Sequence, residues 1–122
     1  MFKAFISTAA LAATVIAAAP ATAQSDYPNR LVRIIVPFGP GSVPDILTRG
    51  LAAPLSARLG QQFVIENKTG GSGALGTLTV ARAETDGYTL LFAPALVLSV
   101  LPQARGVDAG YSSDALVPIR RV

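Results

Sequence analysis

The chain has 122 residues, room for one small domain, and carries 10 Lys and Arg against 7 Asp and Glu, a formal net charge of +3. The basic residues are scattered without a stripe, which argues against a nucleic-acid surface. With no His and no Cys, the chain has no Ser-His-Asp or Cys-His nucleophile, no zinc or haem site of the usual kinds, no disulfide framework and no neutral-pH proton shuttle.

In chain order, Met1-Phe2-Lys3 is a short positive start, Ala4 to Ala19 is an uninterrupted weakly polar to apolar run, and Ala21-Thr22-Ala23 is a small-residue site. That order predicts a secretory signal peptide over residues 1–23, cleaved after Ala23, with residues 24–122 outside the cytoplasm. A membrane anchor fits less well, because the run is Ala-rich and too short to span.

Leu31 to Pro37 predicts a first strand, apolar on both faces as in a sheet covered on both sides. Phe38-Gly39-Pro40-Gly41 is a turn, and a helix follows from about Pro44 to Leu59, with Ile46, Leu47, Leu51, Leu55 and Leu59 as its buried face and Gly60 as its stop. Its start has two readings: a capping box of Ser42 with Asp45, or Pro44 as the first helical residue with the cap at Val43. Either way Asp45 lies in the first turn, where it favours the helix dipole and fixes the loop. Pro54 removes a backbone bond and crowds the Gly50 carbonyl, so a kink or break is expected near Gly50 to Pro54.

Phe63 to Asn67 predicts a second strand, Lys68 to Gly73 a glycine-rich loop, and about Ala74 to Ala83 a shorter helix burying Leu75, Leu78 and Ala81. Asp86-Gly87 is a turn and Tyr88 to Ala93 a third strand. Leu96 to Leu101 suits one or two helical turns, and Pro102 to Val122 a loop with a strand starting at Leu116. Crossovers of this length require parallel pairing, so the strand ends near Phe38, Asn67 and Pro94 open on one sheet edge, where α/β folds bind ligands.

Two helix N-termini at that edge suit an anion, because first-turn N–H groups lack partners and carry the positive end of the dipole. Gly71-Ser72-Gly73-Ala74-Leu75-Gly76 matches the dinucleotide fingerprint G-x-G-x-x-G. The following strand ends Leu91-Phe92-Ala93-Pro94 without the acidic residue that the fingerprint wants for ribose hydroxyls. Ser42 and Ser72 have no base to make them nucleophiles, and capping or anion contact is the better use of both. Asp45 and Glu66 could be an acid–base pair, although Glu66 better suits ending its strand by bonding the adjacent loop.

Tyr27-Pro28, the run Ile35 to Ser42 with Asp45-Ile46-Leu47 and Arg49, Leu59-Gly60-Gln61, Glu66-Asn67-Lys68 with Gly70, Gly71, Gly73 and Gly76, and Asp86-Gly87-Tyr88-Thr89-Leu90-Leu91 together resemble the Bug family. These are the periplasmic substrate-binding proteins of tripartite tricarboxylate transporters. The similarity is collinear from Tyr27 to Phe92 and thin from Leu96 onward. It implies an α/β chain, a parallel β-α-β-α-β unit forming part of the first lobe of a two-lobed periplasmic-binding-protein fold, with residues 24–122 an incomplete N-terminal lobe that stops before the second. It also implies capture of a small carboxylate and delivery to membrane permease subunits, with no cofactor, no metal, no catalysis and no nucleic-acid partner. The ligand-binding positions it implies are Phe38, Gly41, Ser42, Val43 and Asp45 after the first strand, and Gly70, Gly71, Ser72 and Gly73 after the second. Ser42 and Ser72 stand where the family usually has glycine, and Ala93-Pro94-Ala95-Leu96 lacks the hydroxyl and glycine residues usual after the third strand. Two alternatives stay open: a truncated product that does not bind, and a dinucleotide-binding oxidoreductase fragment resting on Gly71, Gly73 and Gly76.

Overall fold

The structure is a computed structural model that describes residues 26–122. The signal peptide expected over residues 1–23 lies outside the described residues. Strand β1 (Val32–Val36) is followed by helix α1 (Val43–Leu59), strand β2 (Phe63–Asn67), a 3-10 turn (Gly71–Gly73), helix α2 (Ala74–Ala81) and strand β3 (Thr89–Leu91). All pairing is parallel, in the order β2-β1-β3, with Val32 opposite Phe63, Val36 opposite Asn67 and Ile35 opposite Leu91. The expected parallel β-α-β-α-β unit is therefore present.

The central strand has Val32, Ile35 and Val36 fully buried. Val32 and Ile34 pack with Ala52 and Leu55 of α1 and with Phe63 and Ile65. A second cluster holds Ala74, Leu78 and Ala81 of α2 with Phe38, Val97, Ala109 and Tyr111. Each cluster contains one crossover helix, as expected when two right-handed crossovers, from β1 to β2 and from β2 to β3, run in opposite directions across the sheet and cover opposite faces.

Helix α1 turns a different face inward from the one expected, with Leu55 alone of its five expected positions packing on the core, while α2 departs from expectation at Leu75. In α1 the buried positions are Asp45, Thr48 and Ala52, whereas Ile46, Leu47, Leu51 and Leu59 are exposed. The Asp45 carboxylate is held at the strand-end loop, and Thr48 Oγ1 donates to the Pro44 carbonyl at 2.6 Å. This rotation brings small residues against the sheet and leaves the leucine ridge outside, where Ile46, Leu47, Gly50, Leu51 and Val122 line an apolar hollow of about 340 Å³. In α2 the buried residues are Gly76 and Thr77, with Leu78 and Ala81 partly buried and Leu75 exposed. Thr77 Oγ1 donates to the Gly73 carbonyl at 2.9 Å.

The capping box at Ser42 does not form. Ser42 is the N-cap in extended conformation, with Pro44 in the first turn, and its side chain makes no cap bond. Asp45 accepts instead from the Gly41 N–H, one residue further out. Nor does α1 break at Pro54, for it is continuous from Val43 to Leu59. Gly50 and Pro54 are both exposed, so water can satisfy the carbonyl that loses its donor.

Beyond β3 there is more helix than the sequence suggests: a π-helical segment (Leu96–Val100), helix α3 (Leu101–Arg105) and a 3-10 turn (Gly106–Ala109). Val97 and Ala109 are the buried anchors of this segment. The strand expected from Leu116 is not formed; a 3-10 turn (Ser113–Ala115) ends there, and Leu116 is extended without joining the sheet.

The opposite end of the sheet is tied down by aromatic and polar contacts. Tyr27 Oη donates to the Gly87 carbonyl at 2.6 Å, and its ring meets Tyr88 edge-on at 5.1 Å. The Arg30 guanidinium lies 4.1 Å from the Tyr88 ring centre and bonds Asp86 at 2.5 Å, so the chain entering β1 is clamped to the turn entering β3.

Candidate functional site

The segments leaving the three strands converge at one sheet edge. The Lys68 N–H donates to the Val36 carbonyl at 2.9 Å and the Phe92 N–H to the Ile35 carbonyl at 3.0 Å, so both neighbours stay in ladder register with β1 to its end. Beyond it, Phe38 is half-buried, and a Cβ placed on Gly73 would lie 3.5 Å from the Phe38 ring and 3.1 Å from Val97. Phe38, Gly73 and Val97 come from the segments that follow β1, β2 and β3 respectively and form a common floor.

The first loop, Phe38 to Asp45, is built around one carboxylate. Asp45 is 2% exposed. Its Oδ2 accepts from the Gly41 N–H at 2.9 Å and from Arg49 Nε at 3.0 Å, and its Oδ1 accepts from Asn67 Nδ2 at 2.9 Å. The Arg49 guanidinium first, then the Gly41 and Asn67 donors, hold Asp45 far below the usual carboxylate range, and Arg49 is raised in turn. Asp45 thus faces the loop's own donors. Val43 is largely exposed, and Gly41 is exposed with φ of 82°. The Ser42 N–H donates to the Gly39 carbonyl at 3.2 Å, while Ser42 Oγ is a buried oxygen with no partner among the described residues.

The second loop winds left-handedly. Gly70, Gly71, Ser72 and Gly73 all have positive φ, Ser72 at 59°. Gly70, Gly71 and Ser72 are exposed and Gly73 is buried. The Gly73 N–H donates to the Gly70 carbonyl at 3.0 Å, so the Gly71 and Ser72 amides lie ahead of the first helical bonds. A β-branched side chain is a genuine outlier in the conformation of Ser72. Ser72→Val is expected to destabilise the chain by about 1–3 kcal/mol in urea unfolding; an unchanged midpoint would mean that the loop has another conformation.

The sequence-derived positions thus fall on two adjoining loops, and the structure adds residues not among them. Asn67 reaches from β2 to the Phe38 carbonyl at 2.9 Å as well as to Asp45. Arg49 closes the group, its Nη2 lying 3.4 Å from Asn67 Oδ1. The i,i+4 spacing of Asp45 and Arg49 was the available signal for that pair; the contact across 22 residues to Asn67 had none.

Asp45 and Glu66 do not form an acid–base pair. Side chains alternate along a strand, so the Asn67 that meets Asp45 puts its neighbour Glu66 on the other face. There Glu66 bonds Arg33 of β1 and, at 2.9 Å, Lys68 Nζ. Arg33 first and Lys68 second lower its pKa. Glu66 thus bonds both the neighbouring strand and the adjacent loop. The glycine fingerprint also has a structural use: Gly76 lies so close to Pro37 and the Lys68 carbonyl that a Cβ would sit 2.8 Å from each. A depression of about 600 Å³ lined by Pro102, Gly106, Gly110, Tyr111 and Ser112 includes no residue of either loop.

The family profile described as "Tripartite tricarboxylate transporter family receptor" matches residues 47–115. The chain belongs to this receptor family. The receptor chain is 43% identical over 103 residues to Protein BugT of Bordetella pertussis (strain Tohama I), covering 80% of this chain and 29% of BugT. A solved structure described as a periplasmic transporter matches with a TM-score of 0.68 and 45% identity, over 71% of this chain and 29% of that one. MatC (Rpa3494) of Rhodopseudomonas palustris, solved with bound malate, matches with a TM-score of 0.59 and 32% identity, over 72% and 30%. This receptor chain therefore spans less than a third of the length of these relatives, and its parallel α/β unit corresponds to part of a periplasmic binding protein.

Proposed function

We propose that this chain supplies the amide-bearing wall of a periplasmic receptor for a small dicarboxylate, exported by a signal peptide over residues 1–23 and delivering its ligand to membrane permease subunits. Residues 24–122 are read as part of the N-terminal lobe. The observation that carries this function is the convergence, at one sheet edge, of the N-terminus of the 17-residue helix α1 and the left-handed Gly70–Gly73 turn that starts α2. Both present backbone N–H groups. The unpartnered Ser42 Oγ adds a hydroxyl at the first loop, and the exposed Ser72 adds another at the second. Phe38 and Gly73 form the floor, and Asp45 holds the first loop from behind. Arg49 is paired with Asp45 and Lys68 with Glu66, so the ligand's charge meets backbone dipoles. Malate is the probe of choice because the related MatC binds it.

The test is thermal unfolding of the chain with malate and with its neutral diamide. Malate at ten times its dissociation constant stabilises a one-site protein by about 1.4 kcal/mol, which for a domain of this size is a Tm rise of roughly 5 °C or more. The diamide is expected to give none. Equal shifts with both compounds, or none with malate, would sink the proposal and favour a chain that does not bind by itself.

A further inference from the structure

We propose that Asn67 is a positioning residue that sets the spacing between the two amide-bearing loops, a role that rests on the receptor function proposed above. Asn67 is the last residue of β2, so its backbone is the root of the Lys68–Gly73 loop. Its side chain serves the other loop. Nδ2 donates to the Phe38 carbonyl and to Asp45 Oδ1, both at 2.9 Å, which spends both of its N–H donors across the gap. Oδ1 faces Arg49 Nη2 at 3.4 Å, which fixes which end of the amide points where.

Phe38 and Asp45 are the two ends of the first loop, and Asp45 accepts from the Gly41 N–H inside it. One amide therefore grips both ends of the first loop while its own main chain begins the second. The position calls for a donor, because the Phe38 carbonyl and the Asp45 carboxylate are both acceptors. An isosteric Asp at 67 would set more negative oxygen against them. A side chain that merely filled space would tolerate that exchange, whereas a donor bridging the loops would not.

The experiment compares the full chain with Asn67→Asp, Asn67→Ala and Asn67→Gln, reading hydrogen exchange amide by amide and malate-induced stabilisation. In Asn67→Asp and Asn67→Ala, the Gly41 amide is expected to exchange roughly tenfold faster or more, and malate to bind about tenfold more weakly, the size of one lost charge-assisted bond. The Val32 and Arg33 amides, bonded to Gln62 and Tyr88 across the sheet, are expected to keep their protection. Asn67→Gln keeps both donors and is expected to retain most of the binding. Should Asn67→Ala fail to fold, the contrast between Asp and Gln decides. Unchanged Gly41 exchange in Asn67→Asp overturns the inference, as does an Asp variant that binds malate like the parent. A parent chain indifferent to malate overturns the receptor function instead, and the exchange of Gly41 still decides whether Asn67 holds the loop.

Discussion

Gly76→Ala is expected to destabilise the chain by about 2 kcal/mol or more, although alanine is the better helix former by about 1 kcal/mol. The gain in helix propensity is outweighed because the added methyl group would sit 2.8 Å from the Lys68 carbonyl oxygen, 2.8 Å from Pro37 Cβ and 2.9 Å from Pro37 Cα. Two of these neighbours are backbone atoms and the third belongs to a rigid ring, so none can step aside cheaply. At roughly 4–8 °C per kcal/mol for a domain of this size, Tm should fall by about 10 °C. Gly50 is the internal control. It too lies within a helix, but a Cβ there meets nothing within 4 Å, and Gly50→Ala is expected to stabilise by about 0.5–1 kcal/mol. Urea unfolding of both variants checks the pair. If both alanines stabilise, the close approach of α2 to the end of β1 is wrong, and with it the geometry that brings the two loops together.

The succession of elements, the parallel pairing and the convergence of the strand ends were legible because they follow from period, crossover length and handedness, which are local or general properties. The orientation of α1 was not. Hydrophobic periodicity favours Ile46, Leu47, Leu51, Leu55 and Leu59 as the inner face, yet of these only Leu55 packs on the core, beside the buried Asp45, Thr48 and Ala52. A single buried carboxylate with three donors sets the rotation, and no count of apolar residues contains those donors. Leu75 failed for a related reason: Gly76 must face Pro37, and its neighbour on the helix is carried outward. The glycine fingerprint was visible in the sequence, but its third glycine has its explanation in helix–strand contact. Asn67 marks the limit for the site, since its partners lie 29 and 22 residues away along the chain. Phe38, Ser42 and the Gly70–Gly73 turn were legible as loop residues, and what the sequence lacked was the side chain that ties those loops together.

Asp45→Asn is expected to produce the largest destabilisation of any single polar substitution among the described residues, together with a weaker dependence of stability on acid. Asp45 is an acceptor at both oxygens, and an amide in its place must turn an N–H group toward Arg49, Gly41 or Asn67, all of which donate. In the parent chain the folded-state pKa of Asp45 is lowered from an ordinary value of 3.8. The unfolded chain therefore takes up a proton before the folded chain does. The stabilisation is fully present above about pH 4 and is lost as pH falls from there through the folded value. Urea midpoints between pH 2 and 6 should decline on acidification in the parent and decline less in Asp45→Asn. Some decline should persist in the variant, because Arg33 and Lys68 also lower Glu66, and Glu66 loses its contribution in the same direction. Identical acid limbs for parent and variant would show that Asp45 is not held ionised by the loop. The expected difference bears on the site directly. In the receptor function proposed above, Asp45, with its charge spent on Arg49, Gly41 and Asn67, stands beside the first loop without repelling a carboxylate.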